Sequence, residues 1–243
     1  MKILIIGYGE IANNFARLNQ NYKFTGLRRT DATDLPNVDT IICDYIKGLP
    51  KIENQSSYDW VIFFPKISGS NPKSYEDAYT SRLSEIEKKL PTSKKIFISS
   101  TRVYLNHQNE IVDENETLKS SDQQGNIIQR YEQIILKNDN NQILRLSGLI
   151  TNKSNFVNKV IKEKLFTSNK YINAIHIDDV LKMLKDMIEK KLTAKIINAV
   201  MPSISMYSEL DTGFKGSPVN AAIKSIHYND ARQFKIKTVK EIV

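Results

Sequence analysis

KILIIGYGEIA, residues 2–12, is the stretch that decides the fold: an apolar run leads into Gly7, Gly9 and Ala12, a G-x-G-x-x-A motif. The first glycine allows a tight turn, the second lets a pyrophosphate approach the backbone, and a small third residue lets helix and strand pack closely. Free N–H groups at the start of the following helix would bind the negative charge. The stretch predicts a dinucleotide-binding turn, with a purely structural turn as the alternative. Its predicted cofactor-binding residues are Gly7, Tyr8, Gly9, Glu10 and Ile11.

Further apolar runs follow at long spacing along the chain. They are DTIICDYI (39–46), DWVIFFP (59–65), KKIFISS (94–100) and QILRLSGLI (142–150). Continuous apolar runs of this length are typical of strands buried on both faces of a parallel sheet. Helical periodicity fills the intervals at residues 10–19, 76–90 and 126–137. Strands that alternate with helices predict an α/β fold, a Rossmann-type doubly wound parallel sheet.

The pattern changes after about residue 150. Residues 156–165 and 178–190 predict helices, and 195–200 predict another strand. No linker separates independent domains, so we expect a single domain over 1–243. A small interwoven C-terminal lobe would come mainly from about 150–172 and 200–243.

Composition narrows the class of protein. The chain has 243 residues, 35 Lys plus Arg against 27 Asp plus Glu, a net charge of +8 and one cysteine. One cysteine excludes an intrachain disulfide framework and a cysteine-based zinc site. The basic residues are scattered in lysine pairs, which favours a solvated surface over a nucleic-acid partner. The apolar run at residues 1–6 does not resemble a signal peptide and is too short to span a membrane, so we expect a cytoplasmic protein.

The end of the second strand indicates which dinucleotide is bound. An acidic residue that binds the ribose 2′-hydroxyl of NAD would lie there, but the sequence has Arg28 and Arg29. A guanidinium suits a 2′-phosphate through paired hydrogen bonds, so NADP is favoured over NAD. The alternative is that both arginines are solvated loop charges. Asp44, at the end of the third strand, either meets the adenine amino group or is an exposed turn residue.

Other polar residues give weaker indications. Phe64 and Pro65 end the fourth strand and form either a cofactor wall or plain core. His176 precedes Asp178 and Asp179, one of which we expect to cap a helix. His107 and His227 have no partners at metal-ligand spacing, so no metal is predicted. Cys43 is expected to lie inside a buried strand and to be inert.

Six ordered motifs together resemble the extended short-chain dehydrogenase/reductase superfamily, in particular atypical nucleoside-diphosphate-sugar epimerases and dehydratases. Besides the glycine turn, they are IFISSTRVY (96–104), VDE (112–114), EQ (132–133), LRLSGLI (144–150) and IHIDDV (175–180). The resemblance implies a Rossmann fold, a nicotinamide cofactor beside Ser99, and a nucleotide-sugar or similar polar small-molecule substrate. It also implies a homodimer formed through the helices at 76–90 and 126–137.

The resemblance also implies a catalytic site, from which this sequence departs. Ser100 stands at the position of the substrate-orienting serine of the family. The family's Tyr-x-x-x-Lys pair falls on Gln124 and Ile128, so the acid/base pair is missing. Tyr131 lies nearby but continues the apolar stripe of its helix, which favours a core position.

Two functional hypotheses follow. The first is an NADP-dependent epimerase/dehydratase or oxidoreductase-like enzyme. The second is a catalytically silent NADPH-binding sensor or regulatory protein. A nucleic-acid binder ranks last.

Overall fold

The structure, a computed structural model, describes residues 1–30, 35–52, 57–91, 93–119 and 121–241. Residues 242 and 243 of the expected lobe lie outside this description. The described strands form a seven-stranded sheet with the order β10-β7-β5-β4-β1-β2-β3. These strands are β1 Lys2–Ile6, β2 Lys23–Arg28, β3 Val38–Ile42, β4 Trp60–Phe63, β5 Lys94–Ser100, β7 Asn141–Leu146 and β10 Ile196–Ala199.

The strand order and direction are those of a doubly wound Rossmann-type sheet. β1 pairs in parallel with β2 and with β4, β2 pairs in parallel with β3, and β4 with β5. The order reverses between β1 and β4, and open α/β sheets bind ligands at such a point, beyond the carboxyl ends of the strands. The predicted α/β Rossmann fold is confirmed.

The helices follow the apolar periodicity of the sequence. They are α1 Glu10–Leu18, α2 Pro72–Tyr79, α3 Leu83–Lys89, α4 Gln123–Ile135, α5 Phe156–Glu163 and α6 Ile177–Ile188. None of the helices in the described ranges is long and apolar enough to cross a membrane.

One predicted helix, at 76–90, is wrong: the structure has α2 and α3 with a break between them. The hydroxyls of Thr80 and Ser81 donate to the carbonyls of Glu76 and Asp77 at 2.9 and 2.6 Å. Hydroxyl bonds of this kind compete with the helical pattern. Arg82 then turns away and donates to the carbonyl of Ile46 at 2.6 Å.

The predicted strand at 142–150 is also divided. β7 ends at Leu146, and the N–H and hydroxyl of Ser147 still donate to the carbonyl of Ala199 in β10. The N–H of Gly148 donates instead to the carbonyl of Asn173, away from β10. The following residues form β8 (Gly148–Ile150), which pairs with β9 (Ala174–His176) in a separate sheet. A third small sheet pairs β6 (Ile111–Val112) with β11 (Ala222–Ile223).

The chain divides into two compact units. The first consists of residues 1–99 and 127–143, and the second of 100–126 and 144–243. The first unit contains β1 to β4. The apolar side chains of β1 and β4 are almost completely buried. In the second unit, a core of aliphatic and aromatic side chains surrounds Val157, Tyr207 and Phe214.

Candidate functional site

The glycine motif forms a tight turn between β1 and α1. Gly7 has φ +82°, a left-handed conformation that favours glycine, and a side chain there would overlap the carbonyl oxygen of Phe64. The N–H groups of Gly7 and Tyr8 donate to the carbonyl of Leu27 at 3.1 and 2.8 Å. These bonds hold the turn against the end of β2.

The start of α1 presents backbone N–H donors. Gly9 is the N-cap residue, with an extended backbone, and glycine has no side chain with which to cap the helix. The first N–H groups of a helix have no partner within the helix, and its dipole favours an anion. An arrangement of this kind can bind a phosphate group, and binding by this turn stays a prediction.

A cavity of about 500 Å³ lies beyond the ends of β1 to β4, in the first unit. Its size is that of a small-molecule or cofactor site. The residues that line it are Gly7, Tyr8, Gly9, Leu27, Arg28, Arg29, Thr30, Cys43, Asp44, Tyr45, Ile46 and Lys66.

Three cationic side chains line this cavity. Arg28 is half-buried, with its guanidinium 5.9 Å from the centre of the Tyr8 ring, and Arg29 is exposed. Lys66, which the sequence analysis did not single out, is half-buried. Burial lowers the pKa of Lys66, and the charges of Arg29 and Arg28 lower it further. A bound anion would relieve this mutual repulsion.

Two tyrosines form apolar walls of the cavity. The Tyr8 ring packs on Gly26, where a side chain would come within 2.7 Å of the ring. The Tyr45 hydroxyl accepts a hydrogen bond from the Lys66 N–H at 2.7 Å and donates to the carbonyl of Ala78 at 3.3 Å. Burial raises the pKa of each tyrosine to about 12. Both phenols are therefore neutral at physiological pH.

β3 ends earlier than the sequence predicts, and this changes the position of Cys43. The strand stops at Ile42, so Cys43 follows it, is only partly buried and lines the cavity. The prediction that Cys43 lies inside a buried strand is wrong. Burial and then the Asp44 carboxylate raise the pKa of its thiol. Asp44 also lines the cavity, while one of its carboxylate oxygens accepts the N–H of Ile46 at 3.3 Å.

Phe64, Pro65 and Ser99 lie apart from the cavity lining. Phe64 is buried, with its N–H on the carbonyl of Ile6, and Pro65 is half-buried. Ser99 is buried, and its hydroxyl donates to the carboxylate of Glu132 at 2.6 Å. The side chain of Ser99 therefore has a bond within the first unit.

The second unit contains the predicted catalytic serine and the residue at the tyrosine position of the family. Ser100 is the last residue of β5, and its hydroxyl accepts the N–H of Arg102 at 3.2 Å. The Arg102 guanidinium pairs with Asp122 and donates to the side-chain oxygen of Gln124 at 3.0 Å. The hydrogen bond from Arg102 holds the pKa of Asp122 below its usual value. Arg102 thus fixes the side chain of Gln124.

Ile128 and Tyr131 are core residues of the first unit. Each side chain is fully buried, and the Tyr131 hydroxyl donates to the carbonyl of Ile98 at 3.0 Å. Burial raises the pKa of Tyr131 well above its ordinary value. Neither residue is placed to act as an acid or base on a bound molecule.

The junction before α6 differs from the prediction. His176, rather than Asp178 or Asp179, is the N-cap, and its Nδ1 accepts the N–H of Asp178 at 3.3 Å. Asp179 is buried and accepts the N–H groups of Lys235 and Ile236. Within the part of the chain that the structure describes, no group of three or more His, Cys, Asp or Glu side chains is placed to hold a metal ion.

Comparison with known proteins gives a structural likeness but no sequence match. No protein-family model and no curated protein matches the chain. A provisionally assigned NAD-dependent epimerase/dehydratase from Methylobacillus flagellatus superposes with a TM-score of 0.71 at 21% identity, over 96% of this chain and 90% of the other.

Two enzymes of known substrate are also similar in structure. For UDP-glucuronic acid 4-epimerase from Bacillus cereus, solved with NAD, the TM-score is 0.68 at 18% identity, over 98% of this chain and 92% of that one. For UDP-N-acetylglucosamine 4-epimerase from Methanobrevibacter ruminantium, solved with UDP-N-acetylmuramic acid, the TM-score is 0.69 at 14% identity, over 93% of this chain and 86% of that one. The chain therefore shares its fold with these three proteins.

Proposed function

We propose that this protein binds NADP(H) in the cavity beyond the ends of β1 to β4. The observation that carries the proposal is the placement of Arg28, Arg29 and Lys66 around the glycine turn on one cavity. The donor set is cationic and faces a helix N-terminus, which suits the phosphates of a dinucleotide.

The residues present fit this cofactor. Gly9 has no side chain and lines the cavity, so the cavity reaches the backbone at the start of α1, the cradle that we propose for the pyrophosphate. Arg28 is the last residue of β2, the strand that ends beside the adenosine ribose in this fold, and Arg29 is the next residue. Their guanidiniums suit a 2′-phosphate. Asp44 lies after the next strand, where a carboxylate can accept from the adenine amino group. When bound, the cofactor supplies hydride transfer.

For the reaction, we propose an epimerase, dehydratase or reductase that acts on a nucleotide-sugar or a similar polar metabolite. The solved structures of this fold support this class, because they include epimerases of UDP-sugars. Ser100 is the residue that we propose to contact the substrate. The homodimer and the cytoplasmic location stay predictions.

The second candidate is a catalytically silent NADPH-binding sensor. The observation that favours it concerns Gln124 and Ile128, which stand at the two positions where the family has its acid/base pair. Gln124 is bonded to Arg102, and Ile128 is fully buried. Neither side chain can supply the proton transfer that a tyrosine and lysine pair performs.

Titration of the full chain with NADPH and NADH, followed by nucleotide fluorescence, tests cofactor binding. Arg28→Ala combined with Arg29→Ala is expected to weaken NADPH by roughly 10- to 100-fold, because a hydrogen bond to a charged group contributes about 1.5–3 kcal/mol. NADH, which lacks the 2′-phosphate, should be affected little. Arg232→Ala, at a side chain that is 90% exposed, is the control for a lost positive charge. Absence of binding of both nucleotides would overturn the proposal.

A substrate panel of nucleotide-sugars then separates the enzyme from the sensor. Turnover that falls with Ser100→Ala would support the enzyme. NADPH binding without turnover of any compound would support the sensor, and turnover unchanged by Ser100→Ala would remove Ser100 from the site.

A further inference from the structure

Lys66 lies directly across the glycine turn. A side chain on Gly9 would overlap the Lys66 ammonium, and one on Gly7 would come within 3.3 Å of its Cγ. The aliphatic part of Lys66 therefore runs past Gly7, and its charged end lies against Gly9, where α1 begins.

The backbone of Lys66 is held in place from a neighbouring loop. Its N–H donates to the Tyr45 hydroxyl at 2.7 Å, and that hydroxyl is itself bonded to the carbonyl of Ala78. The ammonium is 5.9 Å from the centre of the Phe64 ring. The backbone of Lys66 is thus held by a hydrogen bond, and its ammonium lies beside the glycine turn.

The three cationic side chains of the cavity, which also contains the Asp44 carboxylate, favour an anion over a further cation as the ligand. Burial and the two arginines lower the pKa of Lys66, so the site without a bound anion penalises its positive charge. A phosphate group placed between the ammonium and the α1 N–H groups would favour the charged form and gain a charge-assisted hydrogen bond.

We propose that Lys66 is a side-chain ligand of the pyrophosphate of the dinucleotide, in addition to the backbone N–H groups of the turn. This inference rests on the proposed function. Its position at Gly9 separates its role from that of Arg28 and Arg29, which lie at the end of β2. Lys66 serves the group that NADPH and NADH share, whereas the arginines serve the phosphate that only NADPH carries.

The test is to titrate the full chain with both nucleotides, using Lys66→Met and Lys66→Arg. Lys66→Met should weaken NADPH and NADH by the same factor, roughly tenfold, because both lose one charge-assisted hydrogen bond. Lys66→Arg keeps the charge and should retain more of the affinity. Lys47→Met is the matched control, because Lys47 is an exposed lysine of the same unit that does not line the cavity. Melting temperatures monitor folding, and Lys66→Gln takes the place of Lys66→Met if the latter does not fold.

The outcomes separate this inference from the proposed function. If the unmodified chain binds neither nucleotide, the proposed function fails. If it binds them and Lys66→Met leaves both affinities unchanged, only the role of Lys66 fails. Loss of NADPH affinity alone would place Lys66 at the 2′-phosphate and overturn the assignment to the pyrophosphate.

Discussion

The carbonyl oxygen of Phe64 occupies the space that a side chain on Gly7 would need. The residue that follows β4 therefore packs directly on the glycine turn, which leaves no room for a Cβ atom on Gly7. The backbone of Gly7 is also left-handed, a conformation that glycine adopts more readily than other residues. Two separate penalties, one conformational and one steric, meet at this residue.

Gly7→Ala should consequently lower the free energy of unfolding by about 2–5 kcal/mol, because alanine is strained in the left-handed conformation and its Cβ atom overpacks the turn. Gly216→Ala is the matched control, because Gly216 has φ +84° with open space around it. The control should lose only about 1–2 kcal/mol. Urea unfolding measures both values, and equal losses would contradict the steric contact with Phe64.

Gly9→Ala should affect binding rather than stability. The new Cβ would meet the end of the Lys66 side chain, which can move, and the backbone of Gly9 is extended. We expect a stability change within about 0.5 kcal/mol. NADPH affinity should fall by more than roughly tenfold, since the Cβ fills the cradle proposed for the pyrophosphate. Unchanged affinity in a titration would argue against that placement.

Tyr131→Phe separates a core tyrosine from a catalytic one. The variant loses the hydrogen bond to the carbonyl of Ile98 and should lose about 1 kcal/mol of stability. NADPH affinity and any turnover should stay at the level of the unmodified chain. A selective loss of turnover, with stability unchanged, would show that the phenol takes part in the reaction.

Ile128→Lys should destabilise the fold by several kcal/mol. The side chain of Ile128 is fully buried, and an ammonium placed there would be removed from water. Ile128→Leu keeps the volume and should cost less than about 1.5 kcal/mol. Thermal unfolding compares the two variants. If Ile128→Lys were as stable as Ile128→Leu, the position would have access to solvent and the acid/base pair could be restored.

The carboxyl of Asp179 should make stability depend on pH. Burial raises its pKa, against the effect of the Lys235 and Ile236 N–H groups that it accepts. Folding therefore favours the protonated acid. Its contribution to stability is complete below the pKa of the unfolded chain, about 3.9, and is lost as pH rises through the folded-state pKa.

Asp179→Asn stays neutral and lacks this dependence. As pH rises from about 4 to 7, the unmodified chain should lose stability relative to Asp179→Asn. Urea midpoints at several pH values measure the difference, and a difference that is constant with pH would contradict the shift.

Local sequence patterns predicted the elements around the glycine turn, because the turn and its flanking strand and helix depend on neighbouring residues. They could not predict the break between α2 and α3. There, Arg82 bonds to the carbonyl of Ile46, which lies 36 residues away in the sequence. The separation of β8 from the central sheet likewise depends on a partner distant in the sequence, because the N–H of Gly148 donates to the carbonyl of Asn173 and β8 pairs with β9.

Part of the candidate site could be predicted because its residues lie at the ends of strands that the sequence patterns identify. Gly7, Gly9, Arg28, Arg29 and Asp44 line one cavity, since parallel strands end at the same edge of the sheet. That rule also gave the signal that could have identified Lys66, which follows β4 at this edge. The partner of the Ser99 hydroxyl, by contrast, could not be predicted, because Glu132 lies 33 residues away in the sequence.

The position of Cys43 gives the chain a built-in reporter. It is the single cysteine, and it stands in the wall of the cavity. A thiol-reactive fluorophore would therefore label one place, and nucleotides that enter the cavity should shield it from the reagent. Because burial raises the pKa of this thiol, labelling will be faster at alkaline pH.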